Sequence, residues 1–138
     1  MSRSVNAGPS MMVVERRLED VVVLSLSRSL KGAGEEALKE RIDRLVHDGF
    51  TRILIDLRDV PYLDSSDLGR LIRCHIAVRQ AGGRVRICNL SDRVQTLMKL
   101  TRLETVLELY ETEETALAAM REPQALRTAV GSGADGTP

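Results

Sequence analysis

Aromatic side chains are nearly absent from this chain of 138 residues: it has no tryptophan, and its three rings are Phe50, Tyr62 and Tyr110. A base-stacking platform needs several exposed rings, so this scarcity argues against single-stranded nucleic-acid binding. An excess of charge is missing as well, with 20 Lys and Arg balancing 20 Asp and Glu. That balance disfavours a globally basic nucleic-acid binder and an acidic disordered chain alike. Two cysteines, Cys74 and Cys88, make neither a disulfide framework nor a metal-ligand set and read as buried, reduced thiols. His47 and His75, the only histidines, are too few and too scattered for a metal centre. Long apolar runs are also lacking. The run Val21–Leu24 falls far short of the ~20 residues of a membrane span, and the polar segment Met1–Ser10 has no signal-peptide core. These absences predict a cytoplasmic protein with no membrane insertion, no metal and no cofactor.

What is present fits one soluble domain, with 43% apolar and 29% charged residues and a core that must come from Leu, Val and Ile. Residues 1–10 read as a flexible arm, 11–122 as the domain and 123–138, rich in Gly and small polar residues, as a flexible tail. Met11–Arg17 and Val21–Ser27 alternate as strands around a Glu19-Asp20 turn, which predicts a hairpin. Gly32 and Gly34 interrupt the pattern before a helix over Glu35–His47, closed by Asp48-Gly49. Arg52–Leu57 is nearly all apolar, as a central strand is. A helix over Asp67–Gln80 follows, with Leu68, Leu71, Ile72, Ile76 and Val78 at its apolar positions, then a strand over Arg84–Asn89. Ser91 caps a helix whose apolar side is Val94, Leu97, Met98 and Leu100. Val106–Tyr110 reads as a short strand, and Thr112 caps a last helix with Ala116, Leu117 and Met120 facing inward. The order β-β-α-β-α-β-α-β-α predicts an α/β fold: a mixed, mainly parallel sheet with an N-terminal hairpin-like strand and about four helices packed on it.

Several strings that could carry chemistry have simpler readings. Gly131-x-Gly133-x-x-Gly136 matches a dinucleotide fingerprint, but a working one needs a strand before it and a helix after it to aim amides at a pyrophosphate, and the string is expected to be a chance match. No serine sits in a Gly-x-Ser-x-Gly elbow, and Glu35-Glu36 and Glu113-Glu114 read as first-turn carboxylates. The segment Asp64-Ser65-Ser66-Asp67-Leu68-Gly69 is more informative, because it falls where a strand ends and a helix begins. A helix start has unpartnered amides, which Asp64 or Ser65 can cap. It is also an electropositive place for a phosphate, which brings about −1.5 to −2 charges.

The stretch Val60-Pro61-Tyr62-Leu63-Asp64-Ser65-Ser66-Asp67-Leu68-Gly69 resembles the signature of the STAS domain of bacterial anti-sigma factor antagonists. The resemblance extends over roughly 12–121, taking in Ile53–Leu57 followed by Arg58-Asp59-Val60, Gln80-Ala81-Gly82-Gly83, Leu97–Leu103 and Thr112–Met120. It implies a regulatory binding protein rather than an enzyme. It further implies phosphorylation at Ser65, with Ser66 as the secondary acceptor, by a cognate anti-sigma factor that is itself a serine kinase of GHKL type. The resemblance also implies that a PP2C-like phosphatase removes the phosphate, and that the unphosphorylated antagonist binds the anti-sigma factor and frees the sigma factor. By this resemblance the partner-binding residues are Asp64, Ser65, Ser66, Asp67 and Lys31.

Two positions depart from the family pattern. Asp67 stands where Gly is usual, close enough to repel a phosphate on Ser65, or partly mimic one, or simply serve as a first-turn carboxylate. Leu30-Lys31 stands where a Leu-Asp pair is usual, so a contact with the kinase is lost or reversed. The alternative they leave open is a constitutive STAS scaffold subunit of a larger signalling or lipid-transport complex without a phospho-switch. Neutrality also conceals blocks: residues 70–102 carry +7 and residues 103–122 carry −5. They read as solvated faces that neutralise one another across the fold, or as a basic patch for an acidic partner. Direct nucleic-acid binding is not expected of them.

Overall fold

The computed structural model describes residues 12–27 and 33–121. β1 (Met12–Leu18) and β2 (Val21–Ser27) form the expected antiparallel hairpin, with Leu18 opposite Val21. They are followed by α1 (Ala33–His47), β3 (Arg52–Asp59), α2 (Ser65–Gln80), β4 (Arg84–Cys88), α3 (Asp92–Leu100), a 3-10 turn (Leu103–Thr105), β5 (Glu108–Tyr110) and α4 (Glu113–Met120). The strands lie in the order β1-β2-β3-β4-β5, and every neighbouring pair after the hairpin is parallel.

Alternation along the strands divides the core between two faces. Leu24 of β2 and Ile55 and Leu57 of β3 join Leu38 and Ile42 of α1, Leu71 and Val78 of α2, and Val94 and Met98 of α3 in the larger cluster. Val21, Val23, Leu54 and Cys88 point the other way, onto Ala116 and Met120 of α4. Three helices therefore cover one face and α4 the other. β2 and β3 are buried on both sides, which is why their sequences are almost uninterrupted apolar runs. Cys74 and Cys88 are free and buried. Burial pushes their thiols up to about 11 and about 12 respectively, so both behave as small hydrophobes, as their sequence context predicts. Among the described residues no helix is long and apolar enough to cross a membrane.

The structure corrects several boundaries. α1 begins at Ala33, so Gly34 lies inside it instead of preceding it, and α2 begins at Ser65 rather than Asp67. β4 stops at Cys88 because Asn89 turns left-handed, with φ 62°. β5 is shortened to three residues by the 3-10 turn before it, which leaves Val106 48% exposed. Ile76 and Leu100, expected inside, are 47% and 78% exposed. Each lies two residues beyond a buried one (Cys74 and Met98), a rotation of about 200° that carries it to the solvent side. The arm, the tail with its glycine string, and Lys31 lie outside the described residues.

Gly83, just before β4, lies close against Thr51, just before β3. A Cβ there would collide with the Thr51 carbonyl oxygen, and that oxygen accepts the Arg84 amide at 2.8 Å. Relief would break the register between β3 and β4. Gly83→Ala is expected to remove about 3 kcal/mol of stability, measurable as a lower urea midpoint at unchanged slope.

His75 on α2 supplies a pH dependence. Burial, and then the charge of Arg79, hold its imidazole below the ordinary value of 6.5, and its Nδ1 is buried without a hydrogen-bond partner. A depressed folded value means that the unfolded chain binds the proton more readily. The contribution of His75 is thus fully present above pH 6.5 and is lost as pH falls through the lower folded value. His75→Gln should flatten the stability–pH curve between about pH 7 and 5; a curve parallel to the wild type would show that His75 does not set it.

Candidate functional site

The loop from β3 to α2 is fixed at both ends by apolar anchors, with Val60 and Leu63 buried while Pro61 and Tyr62 stay exposed. The Val60 amide donates to the Leu57 carbonyl at 3.0 Å. Ser91 works in two directions: its hydroxyl donates to the Pro61 carbonyl at 2.8 Å and accepts the Val94 amide at 3.2 Å. It caps α3 and ties that helix start to the loop. Beneath the loop, the buried Asp56 carboxylate accepts the Arg58 amide at 2.9 Å and the Asn89 side-chain amide at 3.0 Å. The ends of β3 and β4 are thereby fastened to each other.

α2 then opens with a reciprocal cap. Asp64, in extended conformation, accepts the Asp67 amide at 2.9 Å, and Asp67 accepts the Asp64 amide at 3.0 Å. The second Asp67 oxygen meets Arg70 Nη1 at 2.9 Å. Two acidic residues three apart are the capping-box spacing with Asp in both roles. The Asp67 carboxyl lies above the ordinary carboxylate range because burial raises it, although the Asp64 amide and the Arg70 charge pull the other way.

Ser65 and Ser66 form the first turn of this capped helix, and both are exposed. The cap satisfies the amide of Asp67, and the Asp64 carbonyl accepts that of Leu68. Two serine hydroxyls thus stand at the positive end of a helix of 16 residues, where a phosphate is electrostatically favoured.

Of the residues singled out from sequence, Asp64, Ser65, Ser66 and Asp67 come together here. The reading of Asp67 changes. It is 1% exposed and turned inward on Arg70, so it offers no surface for direct contact with a partner and acts as the cap. Asp56, Asn89 and Ser91 were not foreseen as part of the site. A lone carboxylate inside the apolar run Ile53–Leu57 was the available signal for Asp56. An Asn directly after a strand, a residue that tolerates left-handed backbone, was the signal for Asn89.

The acidic and basic blocks meet only in part. Arg84 and Arg86 of β4 reach Glu108 of β5 at 2.9 and 3.1 Å, while Glu113 pairs outside the basic block, with Arg16 of β1 at 2.7 Å. Arg73, Arg79, Arg93, Lys99 and Arg102 have no carboxylate within ion-pair distance among the described residues. The described residues hold no group of three or more His, Cys, Asp or Glu able to bind a metal ion.

A five-stranded mixed sheet, three crossover helices on one face, and a capped Asp-Ser-Ser helix start define a STAS-type α/β domain. The STAS domain family matches residues 12–116, and the chain belongs to that family. Among curated proteins, one from Thermotoga neapolitana, provisionally named an anti-sigma factor antagonist, is 29% identical over 72% of this chain and 89% of its own length. The anti-sigma-B factor antagonist of Bacillus subtilis is 26% identical over 66% of this chain and 83% of its own. Among solved structures, an anti-sigma factor antagonist from Mycobacterium paratuberculosis superposes with a TM-score of 0.73 at 25% identity, covering 86% of this chain and all (100%) of the other.

Proposed function

We propose that this protein is an anti-sigma factor antagonist. It acts by binding, not by catalysis: through the start of α2 it holds a cognate anti-sigma factor and so frees a sigma factor. Phosphorylation of Ser65 by that partner, a serine kinase of GHKL type, switches the binding off, and a PP2C-like phosphatase restores it. The observation that carries this reading is the exposed Ser65 hydroxyl on a helix start held rigid by the Asp64–Asp67 box. The names of the relatives above support it. Ser66, Asp64 and Lys31 complete the proposed contact surface, with Ser66 the secondary acceptor; cytoplasmic action goes with the same reading.

The inward turn of Asp67 removes one reason for preferring a scaffold without a switch, since its charge is engaged by Arg70 and the Asp64 amide. The test is phosphopeptide mapping after incubation with ATP and each GHKL-type serine kinase of the source genome. Phosphate on Ser65, and its absence from Ser65→Ala, is the expected result. An unmodified chain with every kinase, recovered instead as a permanent subunit of a complex, would establish the scaffold.

A further inference from the structure

Tyr62 and Arg93 have no role in the site described above, yet both are exposed and Tyr62 lies on the loop that leads into Ser65. We infer that they form a second contact of the same interface, an aromatic–cation knob that seats on an acidic, partly apolar patch of the anti-sigma factor. The inference rests on the proposed function.

The chain has only three aromatic rings, and it leaves Tyr62 50% exposed. The Arg93 guanidinium lies over that ring, 5.7 Å from its centre, and has no carboxylate partner among the described residues. The loop beneath the ring is fastened by the Ser91–Pro61 hydrogen bond of 2.8 Å. The backbone that carries the ring is thus fixed in advance, with little loop freedom left to lose on binding. Tyr and Arg are the residue types that most often dominate protein interfaces.

Reach places the pair within the same contact. Two residues separate Tyr62 from Ser65, so their Cα atoms are at most about 11 Å apart. A stable interface covers about 800 Å² on each partner, a patch roughly 16 Å in radius. A patch of that size centred on Ser65 takes in Tyr62.

Charge sets the chemistry of the occupant. Arg93, Lys99 and Arg102 face one acid, Asp92, over residues 91–102. Leu100, 78% exposed, stands seven residues from Arg93 and so on the same side of α3. Arg93, with the Tyr62 ring beneath it and Leu100 on the same side of α3, fits an acidic surface that includes an apolar recess.

The experiment titrates wild type, Tyr62→Ala, Arg93→Glu, Arg93→Gln and Ser65→Glu against each purified GHKL-type serine kinase of the source genome, by calorimetry at two salt concentrations. Tyr62→Ala and Arg93→Glu are expected to weaken binding about tenfold with unchanged thermal midpoints. Arg93→Gln, which keeps the size of the side chain without its charge, is expected to flatten the salt dependence. Wild-type affinity in Tyr62→Ala together with a wild-type salt slope in Arg93→Gln overturns the inference, and loss of binding in Ser65→Glu would then leave the proposed function standing. Failure of every kinase to bind the wild type overturns both.

Discussion

Ser65→Glu is expected to weaken binding to the anti-sigma factor about 100-fold, a change of about 2.7 kcal/mol, while Ser65→Ala stays close to wild type. The two variants separate charge from shape. Ser65 is an exposed first-turn residue, so trimming its hydroxyl creates no cavity and orphans no buried partner. A carboxylate at the same place is favourable in the free protein, because the helix dipole stabilises it by a few tenths of a kcal/mol. Folding is therefore preserved, and thermal midpoints at or slightly above wild type will show it. The penalty appears only in the complex, where a protein surface strips water from the new charge without supplying a cation, and such burial costs several kcal/mol. A true phosphate carries about twice the charge and should act more strongly. Equal affinity of the Ala and Glu variants, measured by calorimetry with thermal melts in parallel, would exclude an electrostatic switch at Ser65 and favour constitutive assembly.

Much of the architecture was legible because burial writes itself into the sequence with two different periods. The doubly buried β2 and β3 appear as apolar runs, α1 to α3 as 3.6-residue stripes, and the Ser91 and Thr112 caps as polar residues just before helices. The reading failed where one apolar residue more than the buried face can hold was assigned to that face. Ile76 and Leu100 are apolar, but the geometry of the helix turns them to solvent. The strand ends failed for a different reason, since the left-handed Asn89 and the 3-10 turn at Leu103–Thr105 leave no mark on hydrophobic periodicity. At the site, the position of Ser65 at a helix start was readable from Asp64 onward. The direction of Asp67 was not: one side chain can face a neighbouring phosphate or reach back to the cap, and only the placement of Arg70 decides between them.

Asp67→Ala is expected to lower stability by about 3 kcal/mol, and Asp67→Asn by about 1 kcal/mol. The alanine removes both the acceptor for the Asp64 amide at 3.0 Å and the 2.9 Å ion pair with Arg70, whose side chain is 13% exposed. Asparagine keeps an oxygen for the amide and forfeits only the charge. Because burial raises the folded Asp67 carboxyl above its ordinary value of 3.8, ionisation itself works against folding here. What this side chain contributes comes mainly from its hydrogen bonds, which asparagine can largely reproduce. The sign of the pH effect follows. A raised folded value means that the native state holds the proton more tightly, so Asp67 adds stability as pH falls through that value. Glu15 behaves oppositely: burial tends to raise its carboxyl, but hydrogen bonds and charge from Arg41 and Arg17 outweigh it and bring it below 4.5. Its contribution is lost on acidification. Urea titrations of wild type and Asp67→Asn at neutral and acidic pH should therefore diverge toward low pH, with the wild type gaining on the variant. Convergence would mean that Asp67 is not buried in the native helix start. The same pair of variants bears on function, since a frayed first turn in Asp67→Ala would move Ser65 relative to the loop and lower its phosphorylation rate, whereas Asp67→Asn should remain a substrate at near wild-type rate.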